Sequence, residues 1–166
     1  GLDLRYPLFV KLCHEGSSMG VRLDSKISDA DALREKTTGL LKSYGSLLLV
    51  EEFVGGPEFT VGVLGNEHPS VLGVMQIEIK GRPPEESIYS LEIKREWEEK
   101  VRYHCPPLID QDILKKIEKV ALRSYRVLEC RDVSRVDIRV GDDGTPYFLE
   151  INPLPGLSPV YGDLVI

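Results

Sequence analysis

The sequence predicts an α+β fold built on mainly antiparallel sheets, and three observations carry that reading. Short apolar runs are separated by Gly-, Pro- and Asn-containing breaks too short for helical crossovers, so successive strands must return antiparallel. Only two segments carry clear helical periodicity. Near the C-terminal end, Gly141-Asp142-Asp143-Gly144 separates two strand-like runs and has the composition of a tight hairpin turn. Strands interspersed with two helices fit α+β rather than a doubly wound sheet.

Taken in order, Leu8-Phe9-Val10-Lys11-Leu12 reads as a short buried strand after Pro7. It enters a small-residue loop, Glu15-Gly16-Ser17-Ser18-Met19-Gly20, and a second brief strand is expected at Val21-Arg22-Leu23. A helix follows with Ser28 as its N-cap and Asp31 three residues on. Leu33, Thr37, Leu40, Leu41 and Tyr44 share one of its faces, and Gly45 closes it. Residues 47–53 read as a strand that breaks at Gly55-Gly56-Pro57. Residues 58–64 alternate apolar and polar, and Gly65-Asn66 turns the chain into a strand at about 71–79. The polar, proline-bearing stretch 81–107 is expected to be a loop with one short helical or extended piece. Asp110 opens the clearest helix, with Ile113, Ile117, Val120, Ala121, Ser124 and Leu128 at helical spacing. Strands at 133–140 and 146–151 flank the hairpin turn.

With 166 residues the chain can bury a real core, as one domain or two small lobes. A composition of 42% hydrophobic and 29% charged residues argues against disorder. The net charge of −6 argues against a nucleic-acid partner, yet a small anionic ligand needs only a few local donors. Cys13, Cys105 and Cys130 are far apart and form no CxxC pair, which suggests reduced thiols in a cytoplasmic protein rather than disulfides or a zinc site. No run approaches the ~20 apolar residues of a membrane span, so no membrane partner is expected. Both ends read as cuts through a longer polypeptide.

The terminal hairpin is where chemistry first shows. Arg135 and Asp137 lie two apart on one strand, and Glu150 and Asn152 lie two apart on the other, so each pair shares a face. Pairing across the turn would gather Asp137, Glu150 and Asn152 into an all-oxygen set suited to Mg²⁺. Arg135 beside it is a positive group for phosphoryl oxygens. By spacing alone, the same residues read equally well as the solvated face of a half-exposed sheet. Asn152-Pro153-Leu154-Pro155-Gly156 continues as a rigid loop, either a strand terminator or a source of backbone N–H groups for an oxyanion.

Two further segments suit a nucleotide. In Glu15-Gly16-Ser17-Ser18-Met19-Gly20, hydroxyls and backbone N–H groups can cradle a phosphate, with Lys11 as a point charge; the bland alternative is a hairpin turn. It is neither a P-loop nor a dinucleotide fingerprint. The strand edge from Val50 to Val54 can offer an apolar slot and backbone hydrogen bonds to adenine, with Glu51 as acceptor for the amino group and Glu58 for the ribose hydroxyls. Glutamates at strand ends are otherwise ordinary solvated residues.

The run SRVDIRVGDDGTPYFLEINPLPGLSP resembles the C-terminal metal-binding motif of the D-alanine–D-alanine ligase family of ATP-grasp enzymes. That family's RxD and ExNxxPG pairs match Arg135, Asp137, Glu150, Asn152, Pro155 and Gly156. Likewise FVKLCHEGSSMGV is similar to the family's FVKPxxxGSSxGV, with Leu12 in place of the proline. This implies that Lys11 binds phosphate and that Ser17, Ser18 and the loop backbone cover it. The stretch around Glu51, Glu52, Phe53, Val54 and Glu58 resembles the segment that grips adenine and ribose. Tyr89 to Arg95 resembles a mobile loop, YDYxxKY, which sets Lys94 near the γ-phosphate; Ser90 and Arg95 replace the usual aspartate and tyrosine. Tyr161 stands where the ligases tend to have a serine on the second substrate's carboxylate.

The resemblance implies an ATP-grasp fold of two lobes with nucleotide between them, a nucleotide lobe at about 1–54 and a metal and substrate lobe at about 55–166. It implies a carboxylate–amine ligase acting through an acyl phosphate in peptidoglycan synthesis. Arg135, Lys94, Gly156 and Ser17 would form the catalytic set, and Asp137, Glu150 and Asn152 would hold the metal. ATP and Mg²⁺ are the implied cofactors, with Mn²⁺ as the alternative ion, and amino acids such as D-alanine are the implied substrates. A homodimer is an allowed assembly of the full-length protein. The departures at Ser90, Arg95 and Tyr161 fall on the acceptor side, so a ligase with another acceptor, or a nucleotide-binding module without turnover, stays open. Relative to a complete ligase, the N-terminal domain, a lysine-bearing strand and the C-terminal helix are missing. The fragment alone is therefore expected to bind nucleotide weakly and turn over poorly.

Overall fold

The computed structural model describes residues 3–14 and 19–157. The chain divides into two compact units. One comprises the residues up to Phe53 together with Ser87–Lys100; the other comprises Val54–Glu86 and the chain from Val101 onward. The first unit thus takes in 87–100 as well as the residues up to Phe53.

In the first unit, β1 (Leu8–Leu12) is central in a three-stranded antiparallel sheet, between β2 (Lys26–Ile27) and β3 (Leu48–Glu52). The helix α1 (Ala30–Tyr44) covers one face, burying Leu8, Val10, Ile27 and Leu40 with Leu33, Leu48 and Val50 against them. Leu41 and Tyr44, expected on that face, are exposed. The N-cap is Asp29, not Ser28: its carboxylate accepts the Ala32 N–H at 2.9 Å, and the Ser28 hydroxyl donates to that carboxylate. Gly45 closes the helix at φ +61, donating its N–H to the Leu41 carbonyl at 2.9 Å. The strand expected at 21–23 forms instead at Lys26–Ile27, after a 3₁₀ turn at Leu23–Ser25. Ile27 is the residue that β1 can bury, opposite Leu8 and 2% exposed, whereas Leu23 is 48% exposed.

The second unit is a five-stranded antiparallel sheet in the order β6-β5-β4-β7-β8. Its strands are β4 (Glu58–Leu64), β5 (Ser70–Ile79), β6 (Val101–His104), β7 (Val133–Val140) and β8 (Pro146–Asn152). The stretch 81–107 holds more than the single short piece expected: a 3₁₀ turn at Pro84–Glu86, the helices α2 (Leu91–Arg95) and α3 (Trp97–Lys100), and strand β6. β6 is a four-residue edge strand specified by its pairing with β5, which no local pattern announces. The helix α4 (Gln111–Val127) starts at Asp110, whose carboxylate accepts the Asp112 N–H. It packs Ile117, Ala121 and Tyr125 onto Phe59, Val61, Val63, Val136 and Ile138, all buried. In the hairpin turn, Gly144 takes φ +73, and Asp143 accepts from both the N–H and the hydroxyl of Thr145.

The end of β7 grips the break before β4. The Val140 N–H donates to the Pro57 carbonyl at 3.0 Å, and the Arg139 Nε donates to the Gly56 carbonyl at 3.1 Å. Gly56 is buried so tightly that a β-carbon there would lie 1.7 Å from the Val140 carbonyl oxygen. Backbone, not a flexible side chain, blocks the space. Gly56→Ala should therefore destabilise the protein by about 3 kcal/mol, the upper range for overpacking. Denaturant unfolding followed by circular dichroism checks this, and a loss below about 0.5 kcal/mol would show that the turn relaxes freely.

Candidate functional site

The β4–β7–β8 register builds a polar face opposite α4. β7 pairs with β4 so that Glu58 faces Arg139, Thr60 faces Asp137 and Gly62 faces Arg135. On the other side, Arg135 faces Asn152 and Asp137 faces Glu150. Directly opposed residues project to the same side of a sheet, so Arg135, Asp137, Glu150 and Asn152 do share one face. A register shift follows at once, with Ile138 opposite Phe148, which leaves Leu149 as the extra residue of a bulge beside the cluster.

Asp137 is the centre of this face and is 8% exposed. Arg135 forks onto it, Nε to Oδ1 at 3.0 Å and Nη2 to Oδ2 at 2.8 Å, while the Thr60 hydroxyl donates to Oδ1 at 2.8 Å. The same Nη2 lies 3.8 Å from Glu150 Oε1. Asn152 ends the strand, its Oδ1 accepting the Leu154 N–H at 3.0 Å and so starting the proline loop. In that loop Pro155 is buried and Gly156 exposed.

The donor set fits a hard divalent ion. Two carboxylates and one amide oxygen from adjacent strands face the same side, with a guanidinium already between the carboxylates as their counter-charge. Among the described residues, no three His, Cys, Asp or Glu side chains gather into a closed cage. A three-oxygen set leaves positions for phosphate oxygens or water, as Mg²⁺ prefers. Cys13, Cys105 and Cys130 are free thiols.

In the first unit, the sheet face opposite α1 carries Phe9, Lys11, Lys26, Glu51 and Phe53. Lys11 Nζ pairs with Glu51 Oε1 at 2.8 Å, both partly buried. Phe53 packs its ring 6.0 Å from Phe9, and Lys26 Nζ sits 4.7 Å over the Phe53 ring. Glu52, the next residue along from Glu51, points to the opposite side of the strand. There the Arg5 N–H, and then the Arg5 side chain, donate to its carboxylate and hold it below the ordinary glutamate range. Glu51 and Glu52 are thus separated, not joined in one pocket. Lys94 lies on α2, its Nζ 4.7 Å over the Tyr89 ring, and Ser90 is buried as that helix's N-cap. Ser17, Ser18 and Tyr161 lie outside the described residues.

Two residues of the polar face escaped the sequence reading. Thr60 is known only through its register with Asp137. Arg139 carried a signal, since Arg135, Asp137 and Arg139 alternate on one strand face. It is 6% exposed, donating to the Gly56 and Pro84 carbonyls at 3.1 and 3.0 Å. Burial pulls its guanidinium below the ordinary arginine range, and the charge of Glu58 opposes that shift.

Together the fold and the polar face define an ATP-grasp domain. The fold matches the solved D-alanine–D-alanine ligase from Bacillus anthracis with a TM-score of 0.72 at 23% identity, over 96% of this chain and 47% of that one. It also matches the VanG D-Ala:D-Ser ligase from Enterococcus faecalis with a TM-score of 0.71 at 28% identity, over 93% of this chain and 42% of that one. The family model for the D-ala D-ala ligase C-terminus matches residues 2–161, and the chain belongs to that family. A D-alanine–D-alanine ligase from Desulforudis audaxviator is 35% identical over 159 residues, covering 95% of this chain and 48% of its own length. The chain spans about half the length of the curated relatives it matches.

Arg135 and Asp137 are nearly fully buried as a pair, with side-chain exposures of 12% and 11%. Arg135→Met would leave Asp137 with the Thr60 hydroxyl alone. Removing one partner of a buried pair costs about 3 kcal/mol or more. Equilibrium unfolding of the variant should show a loss of that size; a loss under about 1 kcal/mol would mean the sheet tolerates the unpaired carboxylate.

Proposed function

We propose that this chain is the nucleotide and metal portion of an ATP-dependent carboxylate–amine ligase of the D-alanine–D-alanine ligase type. The observation that carries the reading is the gathering of Arg135, Asp137, Glu150 and Asn152 on one sheet face by the β7–β8 register. Membership of the ligase family and the 35% identity to a D-alanine–D-alanine ligase support it.

On this reading Asp137, Glu150 and Asn152 hold Mg²⁺, which when bound neutralises phosphate charge and orients the terminal phosphate. Lys11 and the Ser17-Ser18 loop hold the other phosphates, and Glu51, Phe53, Val54 and Glu58 bind the nucleoside. Glu52, turned toward Arg5, supports that segment rather than touching the base. A substrate carboxylate oxygen attacks the γ-phosphorus, breaking the bond to the β,γ-bridging oxygen and releasing ADP. Lys94 and Arg135 offset charge on the transferring group. An amine nitrogen then attacks the acyl carbon, phosphate leaves, and the nitrogen's proton passes to solvent. Arg135 and the Gly156 N–H stabilise the tetrahedral oxyanion.

D-Alanine is the first acceptor to test. Ser90, which replaces an aspartate in the family's pattern, is 1% exposed and caps α2, so that position is spent on structure. This favours an acceptor contact that differs in detail from the family's usual one. The free thiols agree with a cytoplasmic site of action, and no helix among the described residues is long and apolar enough to cross a membrane.

Phosphate release by the protein carrying this chain, measured with Mg-ATP across a panel of D- and L-amino acids, tests the reading. Stimulation by D-alanine supports it, and stimulation only by other amines moves it to a sister ligase. ATP binding without any release would leave a module that does not turn over. In the active protein, Asp137→Asn with Glu150→Gln should lower release by at least about a hundredfold. Activity near wild type in that double variant would remove the metal assignment.

A further inference from the structure

Arg139 is a buried cation that the proposed chemistry does not use. It sits one strand repeat beyond Asp137 on the polar face, directly across the β4–β7 pair from Glu58. Its Nε is taken by the Gly56 carbonyl at 3.1 Å and its Nη2 by the Pro84 carbonyl at 3.0 Å. A group held at two points by backbone carbonyls and only 6% exposed is fixed in place, not available as a mobile ligand contact. Its fork ties the Gly55-Gly56-Pro57 turn, from which Glu58 immediately emerges, to Pro84. The same turn is held by the Val140 N–H on the Pro57 carbonyl at 3.0 Å, and Gly56 has no room for a side chain against Val140.

We propose that Arg139 is a positioning residue for nucleotide recognition, fixing the Gly55–Pro57 turn and holding the Glu58 carboxylate where it accepts from the ribose hydroxyls. This rests on the reading of Glu58 as the ribose acceptor. The chemistry is specific to that role. A half-buried carboxylate that accepts from two neighbouring hydroxyls has to be aimed. A fixed guanidinium on the directly opposed residue gives it a counter-charge, and the clamped turn sets where the side chain starts. Neither contribution bears on the transferring phosphate. Arg139 should therefore govern nucleoside selectivity and leave the intrinsic rate of the bound complex nearly unchanged.

The test compares binding of Mg-ATP and Mg-2′-deoxy-ATP to the protein carrying this chain, with wild type, Glu58→Gln, Arg139→Met and the double variant side by side. Removing one charge-assisted hydrogen bond should reduce the preference for ATP over the deoxy nucleotide by about tenfold. Arg139→Met should reduce it by a similar factor, and the double variant should lose little more than either single one. Apparent KM for ATP should rise while kcat moves less than about threefold. Arg139→Gln keeps an amide donor for the carbonyls while removing the charge, so it serves if methionine prevents folding, and it should lose the preference too. Wild-type preference in a folded Arg139→Gln or Arg139→Met protein, alongside its loss in Glu58→Gln, overturns the positioning role alone. Wild-type preference retained in Glu58→Gln, or no ATP binding by the wild type, overturns the Glu58 reading and this inference together.

Discussion

The antiparallel register between β4 and β7 is the constraint on which the second unit depends. Phe59, Val61 and Val63 on one strand and Val136 and Ile138 on the other are all 0% exposed beneath α4. Because side chains alternate, a slip of β7 by one residue would turn Val136 and Ile138 out of the core and bring in Arg135, Asp137 and Arg139 instead. At roughly 1.5–3 kcal/mol for each of these two buried side chains, such a slip costs about 3–6 kcal/mol before any charge is desolvated. The core thus sets the position of the polar cluster through the strand register. A second restraint acts at the strand ends: Tyr125 of α4 donates to the Gly65 carbonyl, and Asn66 and Asp132 exchange hydrogen bonds in both directions.

That dependence explains which parts of the structure were legible in the sequence. The β7–β8 hairpin was, because Gly141-Asp142-Asp143-Gly144 fixes the turn and the pairing next to it, whereas the bulge at Leu149 that brings Glu150 opposite Asp137 was not. Helix α4 was too, since its apolar stripe is long and its cap is an aspartate. Local pattern fails where a partner strand decides. Val21-Arg22-Leu23 alternates as well as Lys26-Ile27 does, but β1 selects the second by burying Ile27. β6 is a strand because the edge of β5 away from β4 pairs with it over Gln76–Ile79, and 81–107 gives little internal sign of that. The cluster at Arg135, Asp137, Glu150 and Asn152 was visible because it lies within one hairpin. Thr60 and the clamp made by Arg139 were not, because they depend on a pairing 77 and 83 residues apart along the chain.

Both units pair charges of opposite sign on a partly buried sheet face, where an unpaired charge is costly. In the first unit Lys11 is paired with Glu51 at 2.8 Å; in the second Arg135 spans Asp137 and Glu150. The cations suited to phosphate oxygens and the carboxylates suited to base or metal compensate one another within the protein. The binding proposed for this face would then exchange one set of charge partners for another, instead of creating or burying an isolated charge.

The chemistry of their partners separates Arg135 from Arg139, which look equivalent as alternate arginines on one strand. Arg135 is held by carboxylates, groups that a divalent cation can also satisfy, so its partners are exchangeable. Arg139 faces Glu58 across the sheet and also donates to the Gly56 and Pro84 backbone carbonyls, which no phosphate or metal chemistry at the neighbouring cluster would claim. A guanidinium bound to exchangeable partners is suited to respond to the reacting group, whereas one bound to backbone is suited to hold geometry. Four residues apart on β7, the strand places a responsive cation where phosphoryl chemistry is proposed and a fixed one where the nucleoside is proposed to be read.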